Sequence, residues 1–278
     1  MMTRNIHLSP DREMTHNIEA FITDTLIPAA FKELNAHYVT YLDGGDIGLE
    51  YKKDTTPASE ADKQTEKVLR ELISSNYPEH GILGEEFPPF NTDRDCVWVL
   101  DPLDGTREFL AKMPDHFGTL IAFVQDRKPL YGCIGDPISQ RVWTGSEANI
   151  SLGKPAAGIN QSVFACTNMG MFTDTKYQIG MERVKTQAKC YISKKNCLGF
   201  AGVIDGHIDL SIEYDLAIHD VVALLPPLLK SGCTALDFEG NDYSDKNFDL
   251  PDAAQEKFGI IAARTRKLAE QALGIIHQ

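Results

Sequence analysis

Two aspartates follow a short apolar run in the segment WVLDPLDGTREF, residues 98–109. Asp101 and Asp104 stand in an i, i+3 relation with Pro102 between them, a spacing typical of a tight turn. A turn would bring the two carboxylates together, and like charges held that close cost free energy unless a cation lies between them. The segment therefore predicts either a solvated turn or a metal site, and the motif alone leaves both open.

Further carboxylates stand at the predicted ends of strands and helices. Glu85 and Glu86 follow a short apolar strand and a glycine, and Glu213, Asp215 and Asp220 surround the start of a predicted helix. Each has an ordinary interpretation, because paired glutamates usually lie in solvated loops and an acidic residue near a helix N-terminus stabilises the helix. Taken together, without a competing cluster of histidine or cysteine, these oxygen ligands favour Mg²⁺ or Mn²⁺ over zinc.

The residues after Asp104 predict an anion site. Thr106 follows Gly105 and precedes a short helical pattern, so we expect it to be the N-cap of a helix. The free backbone N–H groups of Gly105 and Thr106 at that helix start could bind a phosphate. A capping threonine is the ordinary alternative, but here the phosphate site would lie beside the predicted metal ligands.

Composition limits the possible classes of function. A chain of 278 residues fits one or two domains with a substantial core. A formal net charge of −13 argues against a nucleic-acid partner, since such binding needs basic patches. No apolar run reaches the length of a membrane span, and the first residues lack the apolar core of a signal peptide. The six cysteines form no CxxC pair, which predicts a cytoplasmic protein without a disulfide framework or a zinc site.

Helical periodicity predicts two helices in the first half of the chain. Residues 17–35 form the first, which Pro28 is expected to bend. The second helix begins at a capping box formed by Ser59 and Asp62, and its apolar residues recur at helical spacing. These helices are the first elements available to cover one face of a sheet.

The predicted strands lie in both halves of the chain. Short turns after the aspartate segment predict an antiparallel meander of three strands, at 119–124, 130–135 and 141–144. A shift to Gly, Ser, Ala and Pro over 144–162 indicates a domain boundary, which separates residues 1–150 from residues 151–278. The second half alternates strands and helices, with strands at 206–213 and 258–263 and helices at 220–231 and 267–276. This pattern predicts a layered α/β (α+β) arrangement.

Three stretches together resemble the inositol monophosphatase family of magnesium-dependent, lithium-sensitive phosphomonoesterases. They are GEE, WVLDPLDGT and HDVVAL, and the resemblance extends from DTTPASEAD near residue 54 to the C-terminal helix. It implies a layered α-β-α-β-α sandwich of the inositol monophosphatase/fructose-1,6-bisphosphatase type. It also implies two or three Mg²⁺ ions per active site, which Mn²⁺ can replace, and a homodimer.

The closest branch by appearance is the bacterial histidinol-phosphatase branch, which belongs to histidine biosynthesis. The stretches that resemble it are PEHGILGEEF, DGTREFLAKMPDHFGTLIAF and GHIDLSIEYDLAIHDVVALLPPLL. This likeness implies histidinol phosphate as the substrate.

The family resemblance also implies roles for individual residues. Glu85, Asp101 and the carbonyl group of Leu103 would bind a first metal ion. Asp101, Asp104 and Asp220 would bind a second. These roles follow from matching motifs and not from the spacing alone.

The same resemblance implies catalytic and substrate-binding residues. Thr106, supported by Asp62, would orient the attacking water beside the metal ligand Glu85. Gly105 and Thr106 would bind the phosphate. The substrate contacts would come from Asn196 and, for the organic part, from Glu213.

The sequence departs from the family pattern near the expected substrate. His219 stands where an aromatic residue usually precedes the metal aspartate, and Asn196 stands where the histidinol-phosphatase branch often has aspartate. Cys233 replaces a usual glycine, and Pro227 adds a second proline to the predicted helix. None of these changes removes a metal ligand.

The expected activity is hydrolysis of a small phosphorylated metabolite by a metal-activated water, most simply histidinol phosphate. Inositol phosphate, a sugar bisphosphate or a phosphonucleotide are alternatives within the same chemistry. An alternative of another class is a regulatory binding protein that keeps the fold. The complete set of metal ligands argues against a purely non-catalytic role.

Overall fold

Two five-stranded sheets and a two-stranded ribbon contain the strands of the part of the chain that the structure describes. The computed structural model describes residues 17–52, 57–145, 153–253 and 256–278. The predicted domain boundary between residues 150 and 151, and the start of the DTTPASEAD motif, lie outside the described residues.

The first helical layer contains two helices joined by a ribbon of two short strands. The helices are α1 (Ile27–Leu42) and α2 (Glu60–Asn76), and the strands between them are β1 (Glu50–Tyr51) and β2 (Pro57–Ala58). The ribbon strands pair antiparallel.

Helical backbone runs from residue 17, where the described part of the chain begins, and extends beyond the predicted end at residue 35. It continues to Leu42 because Leu34 and Tyr38 extend its buried face. A π-helical turn over Ile22–Leu26 directly precedes α1, with Pro28 in the first turn of the α-helix. Because proline has no N–H to donate, Pro28 accounts for the interruption of the regular α-helical hydrogen bonds at this turn.

The first sheet contains the segment with the two aspartates. Its strands lie in the order β3-β4-β5-β6-β7. β3 pairs parallel with β4, and the later neighbours pair antiparallel, which confirms the predicted meander. The strands are β3 (Gly81–Gly84), β4 (Cys96–Asp104), β5 (Gly118–Gln125), β6 (Lys128–Asp136) and β7 (Arg141–Trp143). A short helix, α3 (Thr106–Leu110), follows β4.

The second sheet comes from the second half of the chain and has the order β11-β12-β10-β8-β9. It is mixed, because β8 pairs parallel with both β9 and β10 while β12 pairs antiparallel with β10 and β11. Its strands are β8 (Val163–Cys166), β9 (Cys190–Ser193), β10 (Leu210–Leu216), β11 (Thr234–Leu236) and β12 (Phe258–Ala263). The helices of this half are α4 (Thr175–Gln187), α5 (Cys197–Asp205), α6 (Ile218–Val222), α7 (Leu225–Lys230), α8 (Leu250–Ala253) and α9 (Arg266–Ile276).

The prediction of one helix over 220–231 is wrong. The structure divides this stretch into α6 and α7, which meet just before Pro226 and Pro227. Neither proline can donate the backbone hydrogen bond that would continue α6, so a new helix begins with the prolines in its first turn. The break leaves Asp220 near the start of a short helix of its own.

Three buried clusters show how the layers stack. One face of the first sheet packs on α1 and α2 through residues such as Trp98, Leu100 and Phe31. Its other face packs on α5, α6 and α7, which lie against the inner face of the second sheet. The outer face of the second sheet is covered by α4 and α9. This arrangement confirms the expected α-β-α-β-α sandwich.

The largest cluster, between the two sheets, draws residues from both halves of the chain, such as Val99 and Ile260. The division into domains 1–150 and 151–278 stays a prediction. Among the described residues, no helix combines the length and the apolar character needed to cross a membrane.

Candidate metal and phosphate site

A β-bulge brings Asp101 and Asp104 together. The strand β4 does not end at Asp101 as the turn pattern predicts, but continues through Asp104. Opposite it, Asp101 pairs with Leu120 and Asp104 pairs with Gly118, so β4 has one more residue than β5 over this stretch. Such a bulge re-aims side chains at a strand end. The two carboxylates are therefore placed by the sheet and not by an isolated turn.

A third carboxylate reaches this strand end from the second half of the chain. Asp220 lies in the first turn of α6, where its Oδ2 accepts a hydrogen bond of 2.7 Å from the backbone N–H of Ala217. One oxygen from each of Asp101, Asp104 and Asp220 lies within 4.8 Å of the others. Asp215, which also precedes this helix, is exposed and lies in an irregular part of β10. The structure thus brings together the three aspartates that the sequence singled out.

Glu85 adds a fourth carboxylate next to this cluster and contacts two basic side chains. Nζ of Lys52 lies 2.6 Å from Oε1 of Glu85 and 2.6 Å from Oε1 of Glu86. His219 Nε2 lies 4.0 Å from Oε2 of Glu85 and 3.6 Å from Oδ1 of Asp220. The paired glutamates are therefore not a solvated loop, because both face a cation.

The crowding of these carboxylates changes their proton affinities. Burial, together with the charges of Glu85, Asp104 and Asp220, raises the pKa of Asp101 well above its usual value. Burial and the neighbouring charge of Asp220 raise the pKa of Asp104 to about 7. Burial also raises the pKa of Asp220. Burial would raise the pKa of Glu85 as well, but the nearby His219 and Lys52 outweigh it and lower that pKa.

The apparent affinity of the site for Mg²⁺ is expected to fall as the solution is acidified below about pH 7. A raised pKa means that the cluster, without a cation, binds protons at neutral pH, and these protons must leave when a cation binds. Each displaced proton weakens the apparent affinity by about tenfold per pH unit below the pKa. Titration of Mn²⁺ binding by electron paramagnetic resonance between pH 5.5 and 8.5 measures this slope. A binding constant independent of pH over that range would contradict the arrangement.

Thr106 and Asp62 form a hydroxyl–carboxylate pair beside the aspartates. Thr106 Oγ1 lies 3.1 Å from Asp62 Oδ1 and 3.2 Å from the carbonyl oxygen of Leu103. The other oxygen of Asp62 accepts hydrogen bonds from the N–H and the hydroxyl of Ser59, at 2.7 and 2.6 Å. The predicted capping box is confirmed, and it fixes Asp62 so that Oδ1 of this residue faces Thr106.

Thr106 is not the N-cap of α3, contrary to the sequence prediction. The cap is Gly105, which has a left-handed φ of +93°, and Thr106 is the first helical residue. A side chain at position 105 would be strained at this φ, and its Cβ would come within 2.6 Å of Asn196 Nδ2 and 2.8 Å of the carbonyl oxygen of His116. Because Gly105 takes the cap, the hydroxyl of Thr106 is left to meet Asp62.

A small cavity of about 50 Å³ adjoins the cluster on the side of the second sheet. Glu213 and Asn196 both line it, together with Asp104 and Asp220. Oε1 of Glu213 accepts hydrogen bonds of 2.7 and 2.8 Å from the N–H and the hydroxyl of Thr167. Its Oε2 is buried and has no hydrogen-bond partner among the described residues. Burial raises the pKa of Glu213 to about 8.

The amide of Asn196 is already engaged by the protein. Its Nδ2 donates to Oε2 of Glu108 at 3.1 Å and to the carbonyl oxygen of His116 at 2.7 Å. An aspartate at this position would place two carboxylates against each other, and Asn196 avoids that repulsion with Glu108. The backbone of Asn196 leads into α5, where the N–H of Cys197 donates to Oδ2 of Asp104.

Comparison with known proteins assigns the chain to a family. A model of the inositol monophosphatase family matches residues 19–278. The chain belongs to this family. One family relative is a chloroplastic bifunctional phosphatase of Arabidopsis thaliana (IMPL2), 31% identical over 232 residues that make up 80% of this chain and 66% of the relative. Another is the histidinol-phosphatase of Chlorobaculum parvum, 26% identical over 198 residues that make up 68% of this chain and 75% of the relative.

A solved structure shares the fold of this inositol monophosphatase family member. An inositol monophosphatase from Zymomonas mobilis superposes with a TM-score of 0.75 at 24% identity, over 98% of this chain and 100% of that one. At this level of identity the likeness shows the fold, and the chemistry has to be argued from the site itself.

The donor set of this family member fits a hard divalent cation. The candidate ligands of the cluster are all oxygen atoms, which Mg²⁺ and Mn²⁺ prefer. Carboxylates that lie close together without a cation repel each other. Burial and this repulsion account for the raised pKa of Asp101, and the same negative charge accounts for the ion pair between Lys52 and Glu85.

Several residues of this site carry no local signal in the sequence. Lys52, Thr167 and Cys197 were not singled out, yet each contacts one of the predicted carboxylates. No local pattern marks them, because their partners are 33, 46 and 93 positions away along the chain.

Proposed function

We propose that this protein is a Mg²⁺-dependent phosphate monoester hydrolase that uses a metal-activated water, with histidinol phosphate as its preferred substrate. The observation that carries the proposal is the convergence of Asp101, Asp104 and Asp220 within 4.8 Å, beside the Thr106–Asp62 pair. Each of the three accepts a backbone N–H group, but these hydrogen bonds do not require that carboxylates from two separate parts of the chain share one strand end. Their repulsion is explained when the protein uses them to hold cations.

The ligand assignment is the one that the family resemblance implies. Glu85, Asp101 and the carbonyl oxygen of Leu103 would hold one Mg²⁺ ion, and Asp101, Asp104 and Asp220 would hold another. When bound, such ions lower the pKa of a bound water and neutralise charge on the leaving oxygen of the ester. Mn²⁺ would serve in their place because it accepts the same oxygen ligands.

Thr106 and Asp62 are proposed to orient the attacking water. The hydroxyl of Thr106 has one proton, and two protein oxygens, from Asp62 and Leu103, are in range to accept it. Its lone pairs are therefore left to accept a hydrogen bond from water. Asp62 is buried and held by Ser59, so the pair keeps a fixed direction. The backbone N–H groups of Gly105 and Thr106, at the start of α3, would bind the phosphate oxygens.

Glu213 is proposed to contact the organic part of the substrate. Glu213 lines an acidic cavity, and its raised pKa of about 8 means that the carboxyl group retains a proton at neutral pH. A cationic amine bound there would replace that proton. Histidinol phosphate offers such an amine and an imidazole, whereas inositol phosphate offers only hydroxyl groups. The name of the Chlorobaculum relative supports the same choice. Asn196 would contribute to the shape of this pocket, with its amide held by Glu108.

Inositol 1-phosphate is the second candidate substrate, because the family model itself carries the name of that activity. A regulatory binding role on the same fold is the candidate of another class, and the complete carboxylate cluster favours catalysis over it. We further propose that the protein acts as a cytoplasmic homodimer, in keeping with the family resemblance.

Histidinol phosphate is expected to give a kcat/KM about tenfold higher than inositol 1-phosphate. Glu213→Gln should lower the value for histidinol phosphate by about tenfold or more, since a hydrogen bond to a charged group contributes about 1.5–3 kcal/mol. The value for inositol 1-phosphate should change much less. Released phosphate measures both reactions under identical conditions.

Asp215→Asn is the matched control for this experiment, because Asp215 is exposed only two positions from Glu213. It should leave the substrate preference unchanged. If inositol 1-phosphate is the better substrate, or if Glu213→Gln leaves the preference untouched, the substrate assignment is wrong while the metal chemistry stands.

A further inference from the structure

A buried carboxylate outside the cluster, Glu66 on α2, contacts the loop that carries Glu85. Glu66 is 0% exposed. Its Oε2 accepts a hydrogen bond of 2.7 Å from the backbone N–H of Glu86, and its Oε1 accepts one of 3.2 Å from the N–H of Phe87. The two residues that follow Glu85 are therefore fixed by one side chain from a different element.

Arg70, one helical turn after Glu66, completes this clamp. Its Nε donates to Oε1 of Glu66 at 2.7 Å, and its Nη2 donates to the carbonyl oxygen of Phe87 at 3.1 Å. The pair thus binds both an N–H and a carbonyl group of the loop. A Cβ on Gly84 would lie 2.1 Å from Oε1 of Glu66, so the close approach of the carboxylate requires glycine there.

Glu85 is held between this clamp and the first sheet. Its own backbone N–H donates to the carbonyl oxygen of Leu100 at 3.2 Å, which ties it to β4 next to Asp101. On the other side, the peptide groups after Glu85 are tied to Glu66. The direction of the Glu85 side chain is consequently set by two independent anchors, one on the strand that carries Asp101 and one on α2.

We propose that Glu66 is a positioning residue for the metal site: with Arg70, it fixes the loop so that Glu85 points at the aspartate cluster. The inference rests on the proposed function, because it takes Glu85 as a metal ligand. Mg²⁺ and Mn²⁺ need ligands in near-octahedral geometry, so a loop that is free to shift presents a weaker site. Residues that orient metal ligands in this way typically contribute about 10–100-fold to metal affinity.

The test is the binding of Mn²⁺ alone to the full-length protein, measured by electron paramagnetic resonance at pH 8. Glu66→Gln keeps the shape of the side chain but turns one acceptor into a donor that faces an N–H group. It should weaken Mn²⁺ binding by about tenfold or more. At saturating Mg²⁺, kcat should return to within a few-fold of the wild type, while KM for substrate changes little.

Asp209→Asn is the matched control. Asp209 is also a buried carboxylate that accepts two backbone N–H groups, those of Ala156 and Val163 at 3.0 Å each, and it lies 3.6 Å from Arg264. It should lower the melting temperature as Glu66→Gln does, but leave Mn²⁺ binding unchanged. Equal losses of Mn²⁺ affinity in both variants would overturn the inference, because the loss would then report general destabilisation.

Two further variants keep the outcome decisive. Arg70→Lys removes the bond to the carbonyl group of Phe87 while the carboxylate stays, and should weaken Mn²⁺ binding by a few-fold even if Glu66→Gln does not fold. Glu85→Gln tests the premise. If Glu85→Gln weakens Mn²⁺ binding and neither Glu66→Gln nor Arg70→Lys does, the positioning role is wrong. If Glu85→Gln has no effect, the ligand assignment of the proposed function fails first.

Discussion

Removal of divalent cations is expected to abolish phosphatase activity, and added Mg²⁺ or Mn²⁺ is expected to restore it. Phosphate monoesters hydrolyse extremely slowly without catalysis, and the site offers Thr106 and Asp62 to orient water. The ammonium group of Lys52 is already paired with Glu85 and Glu86, so it does not neutralise the aspartates. The aspartate cluster therefore adds negative charge where the ester would bind. Without divalent cations, the site therefore repels its substrate. Phosphate release after treatment with a chelator measures the effect.

Calcium should inhibit the restored enzyme. Ca²⁺ prefers longer bonds and a looser geometry than Mg²⁺, so it would occupy the carboxylates while misplacing the attacking water. Circular dichroism of the chelated protein serves as the control, since Asp62, Asp104 and Asp220 each accept a protein N–H group that holds them without a cation. Full activity in excess chelator would rule out the proposed chemistry.

The elements that obey local rules were predictable from the sequence. The capping box of Ser59 and Asp62 and the meander after the aspartate segment depend on residues a few positions apart, and both are confirmed. The layered arrangement followed because an apolar face on each sheet needs a helical cover. In the same way, the last strand and helix lie within one residue of their predicted bounds.

The predictions that are wrong concern positions where a neighbouring strand or an unusual backbone conformation determines the local structure. The turn predicted at Asp101 and Asp104 is a bulge, because pairing with β5 extends the strand beyond the apolar run. The cap predicted at Thr106 is at Gly105, whose left-handed conformation leaves no room for a side chain beside Asn196. Local patterns carry no information about a partner strand or a residue 91 positions away, which is the separation between Gly105 and Asn196.

The carboxylates of the candidate site could be predicted from the sequence, but the residues that hold them in position could not. Carboxylates at element ends could be read from the sequence, and the family motifs connected them. The contacts of Lys52, Glu66 and Cys197 could not, because they join separate elements at the strand end. Residue types in a sequence indicate which side chains can bind a metal ion or a substrate. They do not indicate which distant residues hold those side chains in position.

Asp104→Asn and Asp220→Asn are each expected to lower kcat by about a hundredfold or more. Each removes a negative charge from the ion that would stabilise the leaving oxygen, an interaction that counts most in the transition state. Steady-state kinetics at saturating Mg²⁺ measures the loss, with exposed Asp215→Asn as the control. Near-normal turnover of Asp220→Asn would show that this residue is not a ligand.

The same variants should make the metal-free protein more stable at pH 8. Burial raises the pKa of Asp104 to about 7, above its ordinary value of 3.8, so the folded state holds a proton that the unfolded chain releases. The stability from this group is complete below about pH 4 and is lost as the pH rises through about 7, because the carboxylate must then ionise beside Asp220. The neutral amide of the Asp104→Asn variant escapes that loss, so the melting temperature of the metal-free variant should exceed that of the wild type at pH 8, and the gain should vanish near pH 4. An advantage that persists unchanged at pH 4 would mean that packing, and not the repulsion between carboxylates, accounts for it.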